Sequence, residues 1–202
     1  MVAGGAGTRF GAAKQYLAVG GRRILDRSVD VATSVSDGVV VVVPATDAAR
    51  EGGVPGGATR HDSVANGLAA VPPSATIVLV HDAARPFASA ALFRAVIDAV
   101  EAGADGAVPG LAVTDTIKRV DGGRVVETVP RDVLVAVQTP QAFRAGVLRA
   151  AHDAAVEASA TDDAALVEAI GGLVVVVPGE AGNRKITHPD DLVWAEQQVA
   201  SR

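Results

Sequence analysis

The chain has 202 residues, a length that fits one domain with a sizeable core, and 49% of its residues are hydrophobic while 20% are charged. This composition is globular rather than disordered, and the net charge of −5 disfavours a protein that grips a nucleic-acid backbone. Cysteine is absent, which excludes disulfides and thiolate metal sites and fits a reducing, cytoplasmic setting.

Strand and helix patterns alternate along the chain. In chain order, the sequence predicts a strand over 38–44, a helix over 61–71, strands over 76–82 and 106–111 flanking a helix over 89–103, helices over 146–158 and 161–172, a strand over 173–179 and a helix over 188–200. Thr161 and two acidic residues are expected to open the helix over 161–172. Fully apolar strands between helices predict an α/β, Rossmann-like fold, in which helices cover both faces of a mostly parallel sheet.

The apolar runs have the length of strands and are too short to span a bilayer, and no apolar signal segment follows the first residue. We therefore expect neither a membrane nor a nucleic acid as a partner.

One stretch, 113–137, breaks the alternation. There, "TIKRV" and "RVVETV" are joined by "DGG", which is the turn chemistry of a β-hairpin. A projecting hairpin with an apolar face needs a partner to cover it, so this arm predicts a homodimer.

Charged residues and glycines follow the predicted strands, at the sheet edge where ligands bind in open α/β folds. They are Gly4, Gly5, Gly7, Arg9, Lys14, Asp82, Arg85, Asp115 and Lys185. Glycines let backbone N–H groups approach phosphate oxygens, and two fixed cations suit a triphosphate. The loop matches neither a Walker A motif nor G-x-G-x-x-G, because Phe10 replaces the last glycine. Three of the 18 basic residues are lysines, which draws attention to Lys14 and Lys185.

Asp82 directly follows a predicted strand, where a carboxylate facing phosphates is a natural Mg²⁺ ligand. Two structural alternatives remain, a cap on the next turn or an ion pair with Arg85. The four histidines show no ligand spacing, which disfavours a zinc site. Ser63 lies in "HDSVANG", which lacks the G-x-S-x-G pattern of a nucleophile elbow, and we interpret it as a helix-start residue that also touches a ligand.

Long motifs across nearly the whole chain resemble the 2-C-methyl-D-erythritol 4-phosphate cytidylyltransferase family. The motifs, in order, are "AGGAGTRFGAAKQYL", "GGATRHDSVANGL", "VHDAARP", "VTDTIKR", "AVQTPQAF", "TDDAALVEAIGG" and "GNRKITHPDDL". The resemblance implies a single nucleotidyltransferase domain over 1–202. It also implies transfer of CMP from CTP to methylerythritol phosphate, by in-line attack on the α-phosphorus with release of pyrophosphate, and a divalent cation such as Mg²⁺.

The resemblance also implies roles for individual residues. Arg9, Lys14 and Lys185 would be catalytic, with Lys14 nearest the reacting centre and Lys185 on the α-phosphate. Asp82 would hold the metal. The nucleotide would lie against Ala3, Gly4, Gly5, Gly7, Gly57, Ala58 and Ser63. On the arm, Thr116 and Arg131 would reach the methylerythritol phosphate bound in the partner subunit, with Arg85, Asp115 and Thr139 near that pocket.

Three features depart from the family pattern. The family has a buried first strand before its glycine loop, whereas only Met1 and Val2 precede the loop here. Three alternatives are open: the start was assigned too late, the chain is shortened, or the strand is missing. Ala13 stands where the family commonly has proline before the catalytic lysine, and the spacing from Arg9 to Lys14 is short.

Three other functions were weighed. A cytidylyltransferase for ribitol 5-phosphate or another polyol phosphate shares the CTP half, and "TDTIKR" and "TDDAALVE" favour methylerythritol phosphate over it. A nucleotide-binding protein without catalysis is disfavoured by the joint presence of the four charged residues Arg9, Lys14, Asp82 and Lys185. An NAD-dependent dehydrogenase is disfavoured because it would need the missing glycine.

Overall fold

A computed structural model describes residues 1–5, 10, 13–155 and 161–200 of the chain. Its helices, in chain order, are α1 (Ile24–Thr33), α2 (Ala48–Glu51), α3 (Arg60–Ala69), α4 (Ala90–Glu101), α5 (Ala145–Ala154), α6 (Asp163–Ala169) and α7 (Pro189–Ala200). Its strands are β1 (Ala18–Val19), β2 (Arg22–Arg23), β3 (Val42–Val43), β4 (Val54–Pro55), β5 (Ile77–Val80), β6 (Gly106–Ala112), β7 (Ile117–Asp121), β8 (Arg124–Val129), β9 (Val135–Val137), β10 (Gln141–Arg144) and β11 (Val174–Pro178). Short 3₁₀ turns cover Lys14–Tyr16 and Arg131–Val133.

The central sheet has the order β4–β3–(residues 1–3)–β5–β10–β6–β11. β10 is antiparallel to both of its neighbours, while β3 and β4 are parallel to each other and β11 is parallel to β6. Because β5 and β6 are both antiparallel to β10, they run parallel to each other. The predicted mostly parallel sheet is therefore confirmed, with the antiparallel β10 inserted near its centre.

Residues 1–3 occupy the place where the resemblance put a first strand. Val2 forms parallel bridges to Val42 on one side and Asp82 on the other. The backbone N–H of Ala3 donates to the Val42 carbonyl at 2.7 Å, and that of Val2 donates to the His81 carbonyl at 2.7 Å. Of the three alternatives, a missing strand is therefore wrong, because these three residues join the two halves of the sheet.

Helices cover both faces of the sheet, as predicted. On one face, α3, α5 and α6 bury Val64, Leu68, Leu148 and Val167 against Val78, Val80 and Phe143. On the other face, α4 packs against β10 and β6 through Val96 and Val100, and Leu92 and Phe93 of the same helix pack beside α1. Alternate residues of β5 serve the two faces, which is the period-2 pattern of a strand covered on both sides. No helix within the described residues is both long and apolar enough to cross a membrane.

The hairpin predicted within 113–137 is formed by β7 and β8. Its turn places Gly122 and Gly123 at φ angles of 53° and 79°, as a two-residue hairpin turn with left-handed backbone requires. The chain then returns to the body through β9, which pairs with the end of β6. Six valines between residues 113 and 137 have exposed side chains, namely Val120, Val125, Val126, Val133, Val135 and Val137.

Several element boundaries differ from those expected. Asp162, not Thr161, caps α6, because its carboxylate accepts from the Ala165 N–H at 3.1 Å. The strand predicted over 38–44 is paired as a ladder only at Val42–Val43, and the helix predicted over 146–158 ends at Ala154, shortly before residues 156–160 that lie outside the described part. Neither α1 nor β10 was predicted.

Candidate active site

The start of the glycine loop and the start of α3 meet at the carboxyl edge of the sheet. A Cβ on Gly4 would lie 3.2 Å from the Ser63 hydroxyl oxygen, and the Gly57 N–H donates to that oxygen at 3.1 Å. A Cβ on Gly57 would lie 2.2 Å from Cβ of Asp62, so this position has room for glycine alone. Ala3, Gly4, Gly57 and Ser63 are thereby brought together. Such a cleft of backbone groups can receive a flat ring, while Gly5 and Ala58 are exposed at its rim.

Thr59 and Asp62 shape this cleft by capping α3 from both directions. The Asp62 N–H donates to the Thr59 hydroxyl at 3.1 Å, and the Thr59 N–H donates to the Asp62 carboxylate at 3.0 Å. This capping box fixes the turn from Gly57 into the helix.

Lys14 and Lys185 are drawn to one place by the same segment of chain. Lys14 lies on the 3₁₀ turn after the glycine loop, and its Nζ donates to the Ile186 carbonyl at 2.8 Å. Ile186 in turn follows Lys185 in sequence, and its N–H donates to the Ala84 carbonyl at 2.8 Å. Lys14 therefore contacts the main chain directly after Lys185, although the two lysines come from separate motifs. The predicted Arg9 and Gly7 lie outside the described residues.

Asp82 follows β5 and faces two cations. Its Oδ2 accepts from Lys185 Nζ at 2.6 Å, and its Oδ1 lies 3.8 Å from Arg60 Nε. Burial disfavours the charged form, but Lys185 and Arg60 outweigh it, so the pKa of Asp82 lies below its usual value. Asp82 is thus an ionised carboxylate, and its ion pairs are with these two residues rather than with Arg85.

A magnesium ion suits this position only if a ligand supplies most of its coordination. Within the described residues, no group of three or more His, Cys, Asp or Glu side chains could hold a metal ion. Mg²⁺ commonly binds through one or two carboxylates together with substrate phosphates, and a single ionised carboxylate beside Lys185 and Arg60 fits that mode. The donor set therefore favours a metal that arrives with phosphates over one that is permanently resident.

A buried chain of hydrogen bonds holds the backbone of Asp82. Its N–H donates to the Thr139 hydroxyl at 3.0 Å, and that hydroxyl lies 3.0 Å from His81 Nδ1, while His81 Nε2 lies 3.2 Å from the Arg85 carbonyl. Burial lowers the pKa of His81 to about 3, so the ring is neutral. A neutral ring with the proton on Nε2 satisfies every bond, because Nδ1 then accepts from Thr139 and Nε2 donates to Arg85.

Arg85 and Asn183 hold the loop that carries Lys185. Arg85 Nη1 donates to the Asn183 carbonyl at 2.8 Å, and Asn183 Nδ2 donates to the Thr139 carbonyl at 2.8 Å. Burial lowers the pKa of Arg85. Its buried Nε has no hydrogen-bond partner among the described residues, so this guanidinium keeps one donor beyond its loop contact.

The predicted residues of the arm lie on its surface. Asp115 and Thr116 are exposed between β6 and β7, and Arg131 is exposed on the 3₁₀ turn after β8, where Nη1 donates to the Thr114 carbonyl. The structure therefore places these side chains at the base of the hairpin, facing outward, and not in the cluster around Asp82.

Three residues that were not predicted, Arg60, Asp163 and His152, form a second layer behind Asp82. Arg60 Nη1 donates to Asp163 Oδ2 at 2.8 Å, and Asp163 Oδ1 lies 3.0 Å from His152 Nε2. Burial raises the pKa of Asp163, but its bonds to His152 and Arg60 outweigh that effect and lower it. The acidic pair in "TDDAALVE" was a signal for this layer, although the motif was interpreted only as a helix start and as a family motif that favours methylerythritol phosphate.

Comparisons with known proteins show which family the chain matches. A family model described as 2-C-methyl-D-erythritol 4-phosphate cytidylyltransferase matches residues 1–201. Among curated proteins, the bifunctional enzyme IspD/IspF of Solidesulfovibrio magneticus is 46% identical over 99% of this chain and 56% of the relative, and that of Anaeromyxobacter dehalogenans is 50% identical over 95% of this chain and 54% of the relative. The chain spans about half the length of these relatives.

Solved structures resemble the whole chain. The 4-diphosphocytidyl-2C-methyl-D-erythritol synthase of Anaerococcus prevotii is similar with a TM-score of 0.86 and 32% identity, over 98% of this chain and 95% of that one. The 2-C-methyl-D-erythritol 4-phosphate cytidylyltransferase of Thermus thermophilus is similar with a TM-score of 0.80 and 39% identity, over 98% and 96% of the two chains.

Proposed function

The chain belongs to the 2-C-methyl-D-erythritol 4-phosphate cytidylyltransferase family, and we propose on that basis that it transfers CMP from CTP to 2-C-methyl-D-erythritol 4-phosphate. The observation that carries the proposal is the convergence of Lys14, Lys185 and the ionised Asp82 beside a cleft of glycine backbone. Residues 1–202 would act as a single nucleotidyltransferase domain, with 113–137 as an arm within it. Since CTP is an intracellular nucleotide, we also propose a cytoplasmic location.

The reaction is one displacement at phosphorus. An oxygen of the methylerythritol phosphate forms a bond to the α-phosphorus of CTP, and the bond from that phosphorus to the bridging oxygen breaks, which releases pyrophosphate. Negative charge accumulates on the α-phosphoryl oxygens and on the leaving group, so fixed cations lower the barrier. Lys185 would contact the α-phosphate, and Lys14, together with Arg9, would stabilise the charge on the phosphates.

CTP would enter the cleft with its base and ribose against Ala3, Gly4, Gly57 and Ser63. Backbone groups lie exposed to a ligand where side chains are lacking, and Gly57 has no room for a side chain because a Cβ there would overlap Asp62. Gly5, Gly7 and Ala58 would complete the same wall.

Asp82 would hold Mg²⁺ bound to the phosphates of CTP. A bound Mg²⁺ would screen phosphate charge and fix the phosphate geometry. The residues of the chain that prepare this position are Lys185 and Arg60, which keep Asp82 ionised, and Thr139, which accepts from its backbone N–H.

The arm would bind the second substrate across a homodimer. Val120 and Val125 pair across the hairpin and so share one of its faces, and with side chains 55% and 63% exposed they form an apolar surface that a second copy of the chain would cover. Thr116 and Arg131 would then reach the methylerythritol phosphate in the partner subunit, near Asp115. Arg85 and Thr139 would lie close to that phosphate from within the body.

Pyrophosphate release by the purified chain with CTP and Mg²⁺ tests the proposal. We expect release with methylerythritol phosphate and none with ribitol 5-phosphate. Release with ribitol 5-phosphate alone would move the assignment to that sister activity. CTP binding without release from either acceptor would reassign the chain as a nucleotide-binding protein.

A further inference from the structure

Each carboxylate oxygen of Asp82 faces a cation, and the two cations differ in exposure and in the element that carries them. Lys185 is 40% exposed and contacts Oδ2 at 2.6 Å from a loop. Arg60 is 31% exposed, begins α3 and lies 3.8 Å from Oδ1. Since Lys185 would move to the α-phosphate under the proposed function, on which this inference rests, Asp82 needs a second partner that stays.

The Arg60 side chain cannot leave Asp82 to contact a phosphate, because it is also the cation paired with the buried carboxylate of Asp163. Its Nη1 donates at 2.8 Å to Asp163, whose side chain is 1% exposed. Pulling the guanidinium away would leave that carboxylate buried without its cation, which is among the most destabilising changes a protein interior can suffer. Arg60 is therefore fixed, whereas Lys185 is exchangeable.

Asp163 is also held by a residue of a third helix, α5. His152 on α5 meets the second oxygen of Asp163 at 3.0 Å, and its ring stacks on His61 with the centroids 4.7 Å apart and the planes 18° apart. His61 is the residue after Arg60, so the chain of contacts runs from α3 through α6 and α5 and returns to α3.

We propose that Arg60 is a positioning residue, which holds Asp82 in place for the metal–nucleotide complex and is itself fixed by Asp163 and His152. The distance of 3.8 Å supports this role, because it exceeds hydrogen-bond length. Arg60 therefore restrains the carboxylate through charge and leaves Oδ1 able to bind a cation. The acidic motif on α6 thereby gains a role beyond capping its helix.

The test is the affinity for Mn²⁺ in the presence of CTP and without any acceptor, measured from the electron paramagnetic resonance signal of free Mn²⁺. We expect Arg60→Gln to weaken Mn²⁺–CTP binding about tenfold, the lower end of what loss of a supporting residue behind a metal ligand costs. Asp163→Asn should weaken it by a similar factor. Both residues act through one contact. The double variant should therefore bind Mn²⁺–CTP with about the affinity of whichever single variant has the lower affinity.

Arg149→Gln is the matched control, since Arg149 on α5 donates to the carbonyls of Val71 and Pro72 on another part of the surface. It should bind Mn²⁺–CTP as the wild type does. Thermal unfolding of each variant separates folding from positioning, and Arg60→Gln decides the matter if Asp163→Asn fails to fold. Unchanged Mn²⁺–CTP affinity in Arg60→Gln, or losses that add in the double variant, would overturn the inference while leaving the proposed function intact. A wild-type chain that binds no Mn²⁺–CTP would overturn both.

Discussion

Lys185 Nζ and Asp82 Oδ2 lie 2.6 Å apart, although the two residues are 103 positions apart in the sequence. Their contact joins the loop after β5 to the loop after β11, and it lies beside the carbonyl to which Lys14 donates. The pair therefore holds in one place the two charges of opposite sign that a metal-bound triphosphate would require.

Replacing Lys185 with glutamine should lower kcat by about 10² to 10³, the cost of losing one fixed group that stabilises developing charge. Asp82 would still face Arg60, so the fold should persist. Single-turnover measurement with saturating CTP and acceptor checks this. An unchanged kcat would exclude Lys185 from contact with the reacting phosphate.

Replacing Lys14 with alanine should reduce kcat by about 10² to 10³ while CTP still binds, because the cleft of glycine backbone remains. Titration calorimetry with CTP, beside the rate of pyrophosphate release, separates the two effects. Lys118→Ala is the matched control, since that lysine contacts Thr128 on the arm. If CTP binding and turnover fell by the same factor, Lys14 would be a binding residue only.

Replacing Arg131 with alanine should raise KM for the polyol phosphate about tenfold or more, because a charged hydrogen bond to phosphate is worth about 1.5–3 kcal/mol. KM for CTP should stay unchanged. Arg124→Ala, on the same arm at the start of β8, serves as the control. Wild-type KM in Arg131→Ala would remove this residue from the acceptor site.

Replacing Gly57 with alanine should destabilise the protein by about 1–3 kcal/mol, because the new Cβ would overlap Asp62 and displace the cap of α3. CTP should also bind more weakly, since the cleft would close. Thermal unfolding and calorimetry with CTP measure both effects. Gly146→Ala on α5 meets nothing within 4 Å and should leave CTP binding intact. Wild-type stability in Gly57→Ala would contradict the packing described at this turn.

The stability of the fold should fall with acidification from pH 6.5. His81 has a folded-state pKa of about 3, whereas an unfolded histidine titrates near 6.5, so only the unfolded chain binds this proton between those values. The contribution of His81 is full above pH 6.5 and is lost at up to about 1.4 kcal/mol per pH unit below it.

Urea unfolding at pH 7, 6 and 5 measures this slope, and His81→Gln should lack it. The exposed His188, replaced in the same way, should retain the wild-type slope. Equal slopes in the wild type and His81→Gln would mean that the buried ring is not neutral.

Local sequence patterns predicted those elements whose conformation depends least on the strands and helices packed against them. The apolar run of β11 and the "DGG" turn of the arm carry their own signals, of burial and of left-handed backbone. β10 carries no such signal, because its four residues follow Pro140 and take their direction from β5 and β6 on either side. Tertiary pairing, not intrinsic preference, decides such a strand.

The candidate site divides in the same way. Asp82 and Lys185, which the structure brings into contact, were predicted because ligand-binding groups lie at strand ends, a rule that requires no knowledge of contact partners. Arg60 and Asp163 were missed, since their importance depends on a contact between residues 103 positions apart. A buried acidic residue looks like a helix cap in the sequence until its distant cation is known.

Val2 fixes more than the continuity of the sheet. It pairs with Val42 and Asp82 at once, and its carbonyl accepts from the Ala83 N–H at 3.0 Å. A slip of one residue along this ladder would exchange the faces of Val2 and Ala3, and would carry Gly4 about 3.3 Å away from its place beside Ser63. The register of residues 1–3 therefore sets the distance between the glycine loop and the carboxylate of Asp82 in the candidate site.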